Sequence, residues 1–448
     1  MSVAERFRAF TGSIGPTWLA GAIAAGPATM ASLITGGASF GYALLWVALL
    51  SAILGALSQY LAMRLGLLTE AGIVAVVEEH LGNTWAWLLV VDAVLAAGLA
   101  QLTIMKTVAG VSATITGIDA RIWAVIWALV LAAGLAGGGY RLAETGAKLL
   151  VSLVVLAFLA SLFVVPIDFS AAAGGLVPRI PAGVDGALVA AGILGGAVHV
   201  TLVTMQSYTM NAHGWSRDDI DLARFDVGLS MLGAFGIYSL AIFLVAASVL
   251  HGPGVSGAEL TATAAAQALG PLVGDAASWL FLVGLWGAAV STLGANTVVP
   301  PYLLADKLGW ERDVSDNRYR AAIIAVALAG IGGVFIGGEA FPLLVLTLAF
   351  GLVGTPFALA VVLYLLNDRQ AVPETNSTLA NVGGLALIGV TAVTAGSFLQ
   401  EQVASGLTPV TLFVLAFAAV LAVATVLLLA LFVRDRFDGT DATAESMG

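Results

Sequence analysis

Apolar residues in this chain come in long unbroken runs, each bounded by charges, glycine or proline. A hydrocarbon core of about 30 Å takes about 20 apolar residues of helix, and about twelve runs approach or meet that length. They are 16–38, 43–63, 85–108, 122–136, 143–165, 187–210, 227–250, 276–299, 321–336, 343–366, 382–399 and 410–433, the fourth and ninth being short. Continuous runs predict membrane-spanning helices, because a barrel strand alternates apolar and polar positions. The longest connections, 166–186, 251–275 and 307–320, leave no room for a separate soluble domain. The tail 434–448 is acidic and rich in small residues, and is expected to be disordered.

The basic residues orient these spans. With the N-terminus placed inside, all of the 17 Lys and Arg fall in inner segments except Lys106, Arg121 and Arg179. Cytoplasmic loops carry the excess of Lys and Arg. The expectation is therefore a multi-pass plasma-membrane protein with both termini cytoplasmic. Composition agrees: 60% of residues are hydrophobic and 10% charged, against about 25% charged in ordinary soluble domains. A net charge of −10 leaves no basic patch for nucleic acid. The absence of cysteine removes thiolate ligands and redox chemistry. No Walker motif, dinucleotide glycine pattern or nucleophile elbow sits in a strand–helix setting. No cofactor and no enzymatic activity are expected. The expected partners are the lipid bilayer, a small solute or ion as substrate, and a coupling proton or ion.

Two spans carry interruptions at about mid-depth. The first reads Ala24-Ala25-Gly26-Pro27-Ala28-Thr29. Pro27 removes a backbone donor and clashes with the preceding turn. Carbonyls near Ile23 lose their partners, and a half-helix starting near Ala28 points its positive end into the gap. The sixth span reads Gly195-Gly196-Ala197-Val198-His199-Val200-Thr201. Adjacent glycines lower helix propensity by about 1 kcal/mol each, and a histidine at mid-bilayer is a functional candidate by default. Read singly, the first is equally a simple kink and the second a tight helix contact with a hydrogen-bonded histidine. Together they stand five spans apart, and units of five spans are inverted relative to each other. Paired interruptions at matching positions of inverted halves point to a transporter binding site. The expected plan is an inverted repeat of 16–165 and 187–366, with two further helices in 382–433.

At these residues the chain resembles the Nramp family of proton-coupled divalent-metal transporters. The match is continuous over residues 15–69. It takes in Gly15-Pro16, the Pro27 break, Phe40-Gly41-Tyr42, Leu44-Leu45-Trp46-Val47, Gln59 and Arg64-Leu65-Gly66, with a fainter echo in Thr355-Pro356-Phe357-Ala358. The resemblance implies the all-α LeuT-type fold of five plus five helices with two appended. The metal motifs are altered. Gly26-Pro27-Ala28-Thr29 stands where the family has Asp-Pro-Gly-Asn, and His199-Val200-Thr201 where it has Met-Pro-His. Leu348 stands at a supporting glutamine.

The candidate substrate residues are Ile23, Gly26, Pro27, Ala28, Thr29, Gly196, His199 and Thr201, with His199 and Thr29 at most as metal ligands. None carries a permanent charge. Stripping a divalent ion without a carboxylate is very unfavourable. A divalent metal by family resemblance and a non-metal solute or anion by site chemistry both stand, with a non-transporting membrane sensor behind them. Asp92 and Gln101 in the third span, and Arg318 and Arg320 opening the ninth, are candidates for a proton or ion relay. Structural accounts compete: interfacial pairing for Asp92, helix-helix glue for Gln101, and snorkelling for the arginines. The orientation is testable with epitope tags. A tag after Gly117 should be reachable from outside and one near Glu311 only from inside; the reverse pattern would overturn the orientation.

Overall fold

A computed structural model describes residues 26–137, 141–181, 185–252 and 259–445, with 141–148, 410 and 435–445 as backbone. Every regular element among the described residues is helical. The expected first span enters at its break as α1 (Pro27–Phe40), and α2 (Leu45–Thr69) follows through one 3-10 turn. A short helix α3 (Ile73–His80) leads to α4 (Asn83–Thr116), α5 (Ala120–Gly137) and α6 (Arg141–Ser161). The sixth span is two helices, α7 (Gly186–Ala197) and α8 (Val200–Ala212). The stretch Arg217–Val249 (α9) contains a π-helical turn at Leu229–Phe235. Then come α10 (Ala277–Leu308) and α11 (Asn317–Ala329). The tenth span is again split, into α12 (Ala340–Val353) and α13 (Thr355–Leu365). The last two spans are α14 (Thr378–Ser405) and α15 (Pro409–Glu445), the latter continuing into the tail expected to be disordered.

Ten helical stretches among the described residues are long and apolar enough to cross a membrane. One of them, Pro27–Thr69, takes in both the first and second expected spans, and the fifth appears as the shorter apolar helix Leu149–Ser161. Several helices outrun their apolar runs. The 34 residues of α4 reach about 50 Å at 1.5 Å per residue, well past the hydrocarbon, so its ends stand in the interfaces.

The helices sort into two groups. Helices α1, α2, α7 and α9 pack on one another, with α8 against α2. Helices α4, α5, α6, α10 and α11 form the second group. Helix α12 touches α1 and α7 of the first and α4 of the second, while α13 packs on α14 and α15. Lipid supplies no hydrophobic drive between helices, so close packing over small residues must hold them. At Gly37 a Cβ would lie 2.7 Å from the Ala247 nitrogen, and at Gly36 it would lie 2.9 Å from Ile193 Cδ1. Gly37 lets α1 reach the backbone of α9, and Gly36 makes room for side chains of α7 and α9. Gly37→Leu should therefore destabilise the protein by about 1–3 kcal/mol through overpacking. A lowered unfolding midpoint in detergent checks this; an unchanged one would show that α1 does not rest on α9.

Candidate functional site

Helix α1 begins at the expected break. Gly26 is extended at its N-cap (φ −66°, ψ 177°) and Pro27 opens the first turn, where its missing N–H costs nothing. The sixth span breaks within the expected stretch 195–201. Gly195 and Gly196 remain helical, α7 ends at Ala197, and the chain unwinds at Val198 (φ −125°, ψ 56°) and His199 (φ −90°, ψ 142°). The two glycines serve contact rather than unwinding. A Cβ on Gly195 would sit 2.3 Å from the Leu348 carbonyl oxygen, and one on Gly196 would sit 2.8 Å from Thr29 Oγ1. They bring α12 and α1 directly onto α7.

A cavity of about 400 Å³ lies where the breaks meet. Gly26, Pro27, Ala28, Thr29, Gly196, His199 and Thr201 all border it, as expected, and so does Leu348. Ile23 lies outside the described residues. The wall continues along α8 with Met205, Gln206 and Thr209, and along α10 with Thr292, Asn296 and Val299. No aspartate or glutamate is among the described residues that line it. No group of three or more His, Cys, Asp or Glu among the described residues could hold a metal. The polar lining is hydroxyls, amides and one imidazole, and the positive ends of α1 and α8 border it too.

His199 is the N-cap of α8. The Thr201 amide donates to its Nδ1 at 3.3 Å, and the Thr201 hydroxyl lies 2.7 Å from the same atom. An amide can only donate, so Nδ1 accepts and the neutral ring carries its proton on Nε2. That Nε2 is buried without a partner. It lies over Gly351, where a Cβ would come within 1.7 Å of it. Asp92 of α4 ends against the same stretch: a Cβ on Gly354 would lie 2.0 Å from its Oδ2, which is also buried and unpartnered. Gly351 and Gly354 are three residues apart, one helical turn, so His199 and Asp92 converge on the break between α12 and α13. Thr355 closes that break by donating its hydroxyl to the Val198 carbonyl at 2.8 Å. The sequence holds the signal, Gly351, Gly354 and Pro356 within one turn and a half of an apolar span, of which the family resemblance takes in only Thr355-Pro356-Phe357-Ala358.

The other relay candidates separate. Gln101 is buried in α4; its Nε2 donates to Thr297 Oγ1 (2.9 Å) and its Oε1 accepts from Asn296 (3.1 Å), one of the cavity residues. Arg318 and Arg320 are exposed and border no part of the cavity. Arg318 pairs with Asp316 at 2.7 Å and lies over the Trp310 ring. On the side expected to be cytoplasmic, Tyr208 of α8 donates to Asp306 of α10 (2.7 Å), and Asp306 also accepts from the Ala75 amide (3.2 Å). Lys307 next to it pairs with Glu78 of α3 at 2.8 Å. These contacts tie α8 to the second helix group.

The seats at 351 and 354 are testable. Gly351→Ala puts a methyl where the imidazole is, and should displace His199 into the cavity. A fall in solute uptake of about tenfold, the size of a 1.4 kcal/mol penalty, with unchanged thermal stability is expected. Full uptake by Gly351→Ala would show that the ring position is immaterial.

A family model described as natural resistance-associated macrophage protein-like matches residues 17–401. The divalent metal cation transporter MntH of Deinococcus radiodurans is 27% identical over 358 residues, covering 78% of this chain and 80% of that protein. MntH of Mycobacterium tuberculosis is 28% identical over 363 residues, covering 77% and 81%. The solved structure of the Eremococcus coleocola manganese transporter, in complex with an aromatic bis-isothiourea substituted compound, superposes with a TM-score of 0.73 at 16% identity, covering 97% and 96%. Mhp1, a nucleobase-cation-symport-1 family transporter, superposes at 0.54 and 16% identity over 94% and 92%. At these identities the superpositions show the fold, the all-α transporter architecture of two five-helix repeats.

Proposed function

The chain belongs to the Nramp family, and from that premise we propose that it is a secondary transporter carrying a divalent cation through the cavity between α1, α7 and α8. Both termini are placed on the cytoplasmic side. The relatives are named as divalent metal cation transporters, and the cavity occupies the junction of two broken helices. The observation that carries the finer reading is a cavity of about 400 Å³ without a carboxylate. Neutral groups alone compensate poorly for the inner waters of a divalent ion, which hard cations such as magnesium give up reluctantly. Six waters at about 30 Å³ each occupy about 180 Å³, so the ion fits with its first shell. Thr29, Thr201, Gln206 and Asn296 then contact the waters, and the His199 ring stays neutral.

Transport follows from the two helix groups. The first group, carrying the breaks, rocks against the second, and α12 packs against both. Opening toward the cytoplasm requires the Tyr208–Asp306 contact to part. Asp92 takes and releases the coupling proton. It is a carboxylate at depth with an unpartnered oxygen, and an ionised one left so is costly. Arg318 and Arg320 stay outside this relay.

A second reading, an uncharged or anionic solute in the same cavity, is supported by the absence of negative charge and by the positive ends of α1 and α8. Uptake into proteoliposomes from a panel of divalent metals and small solutes, with an internal pH dye, separates the two. Divalent-metal uptake accompanied by acidification is expected. His199→Ala should lower it about tenfold and Asp92→Asn should remove most of the acidification while leaving binding. Uptake of a non-metal solute with no metal uptake would establish the second reading. Acidification unchanged by Asp92→Asn would make that residue structural.

A further inference from the structure

Arg64 is a buried cation without a buried anion. It lies near the end of α2 expected to be cytoplasmic, on the face that meets α14, where Leu57 and Leu61 approach Gly383 and Gly384. Its side chain is 7% exposed. Nη2 donates to the carbonyl oxygens of Glu374 (3.2 Å) and Thr375 (3.3 Å), while Nε is buried and has no partner. No carboxylate of a described residue pairs with it. The nearest along the clamped segment, Glu374, turns its own carboxylate to Arg217.

The next residue along that segment is Asn376, 6% exposed, whose backbone N–H is fixed to the Leu366 carbonyl (3.0 Å). Neither its Nδ2 nor its Oδ1 has a partner. A guanidinium clamped on residues 374 and 375 and the amide of the next residue, both more than nine-tenths buried, therefore carry unused donors at one junction. Buried polar groups in native proteins are satisfied by protein, water or an ion. A buried unpaired charge is the costliest kind to leave. Two carbonyl dipoles satisfy part of the guanidinium's hydrogen bonding and none of its charge.

We infer that Arg64 and Asn376 form a binding site for one small inorganic anion of the halide type. Arg64 Nε–H and Asn376 Nδ2–H are its donors, and the guanidinium supplies the opposite charge. The sealing favours a small anion over a lipid phosphate, whose ester would have to thread between α2 and the segment joining α13 to α14. The ion braces a helix of the first group against that connecting segment, so occupancy favours the conformation in which the two meet.

The test is the thermal unfolding midpoint of the full-length protein in detergent, titrated with sodium chloride or bromide against gluconate at constant ionic strength. A saturable rise of about 3 °C in halide is expected. It should be lost in both Arg64→Gln and Asn376→Leu. Arg64→Gln also removes the clamp on residues 374 and 375 and can misfold. Asn376→Leu removes a side chain that makes no hydrogen bond, so it keeps the test decisive. Crystals grown in bromide should show anomalous scattering between Arg64 and Asn376. Equal midpoints in chloride and gluconate, or a halide response that survives Asn376→Leu, would overturn the site.

Discussion

The hydrogen bond from the Thr355 hydroxyl to the Val198 carbonyl holds two interrupted helices together in the middle of the membrane. A helix break at that depth exposes backbone groups that water cannot reach, and each unsatisfied one costs several kcal/mol. The sixth span can unwind at Val198 and His199 because the tenth span breaks beside it and offers a hydroxyl. The same oxygen lies 3.0 Å from the Gly351 carbonyl, so one side chain serves both breaks. From that junction the rest follows. His199 becomes the N-cap of α8, its ring settles on Gly351, and Asp92 reaches in from α4 to Gly354. Helix α12, touching both helix groups, feels any motion between them at these two side chains.

Glycine has a different task at each level of this arrangement. At Gly37 it lets α1 approach α9, at Gly36 it makes room for Ile193 of α7, at Gly195 and Gly196 it lets α7 approach α12 and α1, and at Gly351 and Gly354 it makes room for polar side chains. Only Gly354, at the junction of α12 and α13, coincides with a break. The lesson for a lipid-embedded protein is that small residues measure backbone proximity more often than backbone irregularity, since packing is what holds helices in an apolar solvent.

That distinction marks the boundary of what was legible beforehand. The spans were legible because hydrocarbon thickness imposes a length on every run. The first break was legible because Pro27 follows Gly26 in mid-run, removing a backbone donor where glycine already permits an extended turn. The sixth-span break was legible as the stretch 195–201 and falls at Val198 and His199 within it, not at the glycines, since low propensity yields to tertiary contact when the glycines are packed. The convergence of His199 with Asp92 was not legible at all. It joins residues from spans three, six and ten, and no spacing along one helix encodes it. Arg318 and Arg320 show the opposite limit, since relay and snorkelling were both open from their position. Their place at a helix start suggested a relay by resemblance, yet Arg318 spends its charge on Asp316 at the surface.

The altered ligand set changes what coupling can mean under the proposed reading. Where a carboxylate is the metal ligand, cation and proton compete for one group, and their linkage is direct electrostatics. Among the described residues that line the cavity there is no such group. The carboxylate that remains at depth, Asp92, borders Gly354 and not the cavity wall. Cation and proton then act on different residues, and only a conformational change can link them. A ligand shifts a two-state equilibrium no further than its differential affinity for the two states. The hydrated ion must therefore bind one arrangement of α1, α7 and α8 better than the other, and the proton must do the same through α12. Selectivity moves in parallel. Without a ligand of fixed charge or softness, the cavity distinguishes ions by the size of the hydrated complex and by the reach of its hydroxyls and amides.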